Sequence, residues 1–131
     1  MVFILFSAFG PDFLANDFVA NHGLKAGSIW SKGQPLRSGN LHKDNGFSLN
    51  LNDAKTTNDV VPLVEAFLKE SQSWLTALRE QPVERVLHLG MTVGEESSFA
   101  PCLEFGLLFL NMLVDERIEL HVLAYPTSDE E

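Results

Sequence analysis

The sequence predicts an α/β domain of the α+β sandwich kind. A single mixed sheet of four to five strands carries two or three helices, in the order β-α-(β)-β-α-β-α-β. Three observations carry this prediction. Apolar runs with a strand's period alternate along the chain with runs of helical period. The 131 residues are 45% hydrophobic, enough for one core. No internal repeat or linker divides them, so residues 1–131 read as one domain, with 126–131 a frayed acidic tail. Cys102 is the only cysteine, which excludes an intrachain disulfide and a multi-cysteine zinc site.

Each element has its own signal. Residues 2–9 are apolar without alternation and read as a strand buried on both faces. They lack the basic start of a secretory signal. Gly10-Pro11 turns the chain, Asp12 is a plausible N-cap, and Gly23 closes a short helix in the left-handed conformation. Residues 25–46 are rich in glycine and lysine and form a long connection, with a short strand around 28–31. Asn45-Gly46 signals a turn. Phe47, Leu49 and Leu51 then alternate with polar residues, as on a half-buried strand. After a polar loop at 52–58, apolar residues at helical spacing predict one long helix from about 59 to 81. Residues 85–93 form the clearest strand, with Leu87, Leu89, Met91 and Val93 on one side and His88, Gly90 and Thr92 on the other. Ser97 or Ser98 caps a third helix to about 113, apolar nearly all round and therefore central or covered. The last strand, 118–125, places Ile118, Leu120, Val122 and Ala124 on one face and Glu119, His121, Leu123 and Tyr125 on the other. A sandwich of ferredoxin-like character is the most economical arrangement of these elements, with helix-joined strands parallel.

Charge is uneven. Residues 1–50 hold four cations against three anions; residues 51–131 hold five against fifteen, within a net −9. That balance argues against nucleic acid as a partner. The apolar run 99–114 is short and interrupted by Glu104, Gly106 and Asn111, which argues against a membrane span and for a cytoplasmic protein.

Several features recur in order. An N-terminal strand leads through Gly10-Pro11-Asp12-Phe13 into a short helix ending His22-Gly23-Leu24. Trp30-Ser31-Lys32-Gly33 follows, then Gly46-Phe47, then helix, strand, helix and a closing strand ending in Tyr125. This pattern resembles the bacterial domain-of-unknown-function family DUF 4279 across nearly the whole chain. Two departures stand out: Phe47 where such proteins often have Trp, and His121 in a strand where acidic residues are common. The resemblance implies a compact α/β domain and no assigned chemistry. Some small domains of this kind resemble immunity proteins of bacterial toxin systems.

Four constellations bear on function. The first is Trp30, Lys32, Gly33 and Arg37, with Lys25, His42 and Lys43, in the glycine-rich segment. It lacks any nucleotide-binding spacing, and a solvated loop is the plainer reading. A middle reading orders the loop around Trp30, with the Lys32 stem and Pro35 beside the ring. The second is the polar face of the last two strands, where pairing would bring His88 and Thr92 near Glu119, His121 and Tyr125. Such residues suit ligand contact or acid–base work, although ordinary surface histidines look the same. The third is Cys102 near a helix start, where the plainer reading is a buried structural thiol. The fourth is the apolar surplus of the second and third helices, read as core or as an interface.

The leading functional expectation is a non-enzymatic interaction module. Its acidic surface, including Glu65, Glu70, Glu95 and Glu96, would bind a basic protein in an immunity-like manner. A small-ligand binder or hydrolase using His88, Glu119, His121 and the basic loop is the first alternative. A structural homodimer with Trp74 or Phe109 at its interface is the second. No catalytic residue, metal ligand or cofactor is assigned.

Overall fold

The first strand lies at the centre of the sheet. β1 (Val2–Gly10) pairs antiparallel with β3 (Asn45–Asn50) on one side and β4 (Glu84–Val93) on the other. β2 (Ser28–Trp30) joins the far edge of β3, and β5 (Glu119–Pro126) runs parallel to β4, giving the order β2-β3-β1-β4-β5. The helices are α1 (Ala15–His22), α2 (Val60–Glu70), α3 (Gln72–Arg79) and α4 (Leu107–Asp115). The computed structural model describes residues 1–93 and 102–126. Strands joined through helices run in the same direction, and β3 lies between β1 and β2. The first four strands are therefore the split β-α-β pattern of a ferredoxin-like sheet, with α4 and β5 added beyond β4. No described helix is long and apolar enough to cross a membrane.

Alternation along β1 sends Val2, Ile4, Phe6 and Ala8 towards the helices. The register sets Leu49 and Leu87 against Phe6, and Leu89 against Ile4, so one face is apolar across three strands. Onto it α2 lays Val60, Val64 and Leu68, and α3 lays Trp74, Leu75 and Leu78. Trp74 meets Phe6, Phe18, Phe47 and Phe67 edge-on, with ring centroids between 5.8 and 6.5 Å apart. Each such pair contributes about 0.5–1.5 kcal/mol beyond the area it buries. Trp74 and Phe109 thus belong to the chain's own core, which corrects their assignment to a dimer interface. Arg85 is buried at the start of β4. Its guanidinium donates to the carbonyls of Leu78 (3.1 Å) and Arg117 (3.3 Å), tying the ends of α3 and α4 to the sheet. Burial, then the nearby Arg117 and Arg79, lowers its pKa, and Glu116 acts in the opposite sense.

Several local expectations need correction. β1 is buried on the helix side, while Phe3 on the other side is exposed. Asp12 does not cap α1: a turn at Gly10 takes it up, with the Phe13 N–H donating to the Gly10 carbonyl, and Leu14 holds the cap position without a side-chain bond. Gly23 does close α1, at φ +62, as expected. Asn45-Gly46 opens β3 instead of turning the chain. The long helix divides at Ser71, after a 3-10 turn at Thr57–Asp59. There the Gln72 side chain donates to the Leu68 carbonyl (2.8 Å) and to Glu116 Oε2 (3.1 Å), so the break leaves that carbonyl satisfied. The third helix starts at Leu107, because Gly106 is extended (φ −72, ψ 167) in the cap position. Only Phe109 and Leu113 of α4 are fully buried, so it is neither central nor covered all round. Ser97 and Ser98 lie outside the described residues. Cys102 is exposed, ahead of the helix, and its Sγ lies 3.9 Å from Glu104 Oε2; it is no buried structural thiol.

Candidate functional site

The second face of the sheet carries the alternate residues of the same strands. The buried residues of the four described helices join the core cluster on the opposite face. The strand register brings the second-face side chains into transverse rows: Asn50, Leu5, His88 and His121 in one, Gly90 and Leu123 beside Phe3 in the next.

An aromatic ring closes one end of this face. Trp30 stacks on His42 (centroids 5.6 Å, 19° between planes) and lies over Gly46. A Cβ on Gly46 would stand 2.5 Å from the Trp30 ring and 2.7 Å from the Ala8 carbonyl oxygen, so only glycine fits beneath it. Ser7, Ser48 and Val86 in the neighbouring row are buried. The Ser48 hydroxyl lies 2.9 Å from that of Ser28.

The other end opens into a groove of about 870 Å³, walled by Phe3, Leu5, Leu123 and Tyr125 and rimmed by His88 and Asn50. Tyr125 lies over Gly90, where a Cβ would stand 3.1 Å from its ring. Opposite β1, the chain after β3 gains one residue. The Leu51 N–H donates to the Ile4 carbonyl, and Ala54 exchanges both backbone bonds with Val2. Asn52 and Asp53 therefore face the single residue Phe3, which is a β-bulge. The extra residue restores Ala54 to the core, where it is fully buried, and puts both Asn52 and Asp53 on the groove.

His88 stands half-buried at the groove's edge. Its Nε2 lies 2.8 Å from the Ser7 hydroxyl, and its ring meets that of His121 edge-on at 5.4 Å. Burial, and secondarily His121, pushes the His88 pKa below the usual imidazole value. The ring is thus held neutral, with one nitrogen as donor and one as acceptor. His121 is half-exposed, and its Nε2–H donates to Glu119 Oε1 at 3.3 Å.

The structure therefore brings together His88, His121, Glu119 and Tyr125 on one sheet face, as their period-two spacing predicts. Thr92 pairs with Tyr125 in the same register. Among the described residues no group of three or more His, Cys, Asp or Glu is placed to hold a metal ion. The basic segment does not join them. The Lys32 N–H donates to Asn45 Oδ1 (2.7 Å), and Gly33 turns at φ +91 into a small hairpin whose tip carries Arg37. No cation of this segment lines the groove. The loop does order around Trp30, with His42 stacked on the ring. Glu65 and Glu70 lie on α2, the first half-buried and the second exposed; Glu95 and Glu96 lie outside the described residues.

Sequence reasoning missed Ser7, which is hidden in an apolar run, and Asn52 and Asp53, which read as loop. Only the cross-strand register and the bulge reveal them. Comparison with family models, with curated proteins and with solved structures finds no match to this chain.

Proposed function

We propose that the protein is a non-enzymatic binding module that takes a small amphipathic molecule in the groove beside His88. One observation carries this reading: four apolar side chains wall a groove of about 870 Å³ whose rim holds the neutral His88 and the amide of Asn50. That combination of apolar walls and a few polar groups suits a small ligand. A hydrolase reading is weaker. Ser7 is 4% exposed and does not line the groove, so its contact with His88 fixes the imidazole and does not present a nucleophile. The ladder also engages the strand N–H groups that an oxyanion hole would need. The likeness to the DUF 4279 family adds a fold and no chemistry. A free, exposed Cys102 is in keeping with a reducing, cytoplasmic setting.

The test is a titration with the neutral dye Nile red, followed by the backbone NMR shifts of the protein. Saturable binding with shifts at Leu5, His88 and Leu123 is expected, and Phe3→Glu should abolish it. Shifts confined to α4 would sink the reading. A basic protein partner is the second proposal, favoured by fifteen anions against five cations in residues 51–131. In that case Glu70→Lys should weaken capture of the partner at low salt.

A further inference from the structure

The groove is electrostatically one-sided. Among the described residues Asp53 is the only carboxylate that lines it, and no lysine or arginine does. The bulge opposite Phe3 is what turns Asp53 to this face. Without the extra residue, alternation would send position 53 towards the core and Ala54 outward. Beside Asp53 stand the carbonyl-bearing amides of Asn50 and Asn52, which can accept N–H bonds. The walls include Phe3 and Tyr125, whose ring faces attract cations.

We infer that the groove selects an amine: an ammonium group at Asp53 with an aromatic or aliphatic body against Phe3 and Tyr125. This rests on reading the groove as a ligand site and adds the class of ligand. An anionic ligand would meet the Asp53 carboxylate with no lysine or arginine among the described residues that line the groove, in a protein of net charge −9. His88 is held neutral and supplies no counter-charge for such an anion. It offers a hydrogen bond to whatever polar group the ligand carries.

Three probes of one shape test this on the full chain: 2-phenylethylamine, 2-phenylethanol and 3-phenylpropanoate, titrated at pH 7.5 and low ionic strength with NMR shifts at Leu5 and Leu123 as readout. The amine should bind about fivefold more tightly than the alcohol, the gain of one exposed charge pair plus one cation–π contact. The propanoate should bind more weakly than the alcohol. Asp53→Asn is an exposed, near-isosteric change; it should remove the amine's advantage and leave the alcohol's affinity unchanged. Added salt should shrink the same advantage. Equal binding of amine and alcohol, or tightest binding of the propanoate, would overturn the amine inference and leave the groove as a ligand site. Failure of all three probes to shift groove resonances would overturn both.

Discussion

The helix-covered face and the open face are made from the same five strands, and they obey different rules. The covered face is apolar apart from Arg85 at the start of β4, and its contacts are redundant: Trp74 alone meets four phenylalanine rings. On the open face each row is particular. Gly46 lies under Trp30, Gly90 lies under Tyr125, and Ser7 holds His88. The covered face tolerates variation in shape as long as volume is kept, whereas the open face depends on particular residues at single positions. This contrast separates what holds the domain together from what it presents to a ligand.

The sharpest way to break the comparison is on the covered side. Trp74→Ala should cost about 3–5 kcal/mol of stability in urea unfolding, because it empties the centre of the aromatic cluster. A loss under about 1 kcal/mol would mean that the core does not depend on this ring. Gly46→Ala comes next, at about 1–3 kcal/mol, since the new Cβ collides with the Trp30 ring and the Ala8 carbonyl. Adding Trp30→Ala should recover only part of that loss, because the backbone carbonyl stays; strict additivity would show that the ring is not the obstacle. Ser7→Ala should cost about 1 kcal/mol and broaden the His88 side-chain NMR signals, as the imidazole loses its partner.

The smallest expected effect is pH-dependent. The folded state holds the His88 pKa below its unfolded value of about 6.5, so the folded state binds fewer protons. The stability that His88 contributes is complete above that unfolded value. It is lost as pH falls from there through the folded value. Urea unfolding at pH 7.5 and at 5.5 should show the wild type losing stability on acidification, and His88→Gln losing less. An identical slope in the variant would remove His88 as the cause.

Much of this was legible in the residues. Period-two spacing at 85–93 and 118–125 correctly groups His88 with Gly90 and His121 with Tyr125, because side-chain parity is a local property. The α+β class and the parallel run of helix-joined strands followed from element order and the rule for crossovers, whereas the strand order did not. What stayed hidden depends on long-range pairing. Asn45-Gly46 carries a strong local turn signal, and pairing with β1 and β2 overrides it. Asn52-Asp53 reads as loop because a bulge exists only relative to its partner strand. Ser71 and Gln72 fit a continuous helical stripe; the contact with Glu116, far along the chain, accompanies the break.

The central place of β1 also sets an order of events. Its two neighbours are β3 and β4, both later in the chain, so β1 cannot complete its ladder until the segment 84–93 has been made. Ser7 and His88 meet across 81 positions of chain, and the loop that must close between them is long. A sheet organised this way folds slowly for its size and only after β4 has been made. Until then its most apolar strand is exposed to other chains. A growing chain held before β4 is complete should therefore be sensitive to protease and drawn to chaperones, and release of β4 should end both.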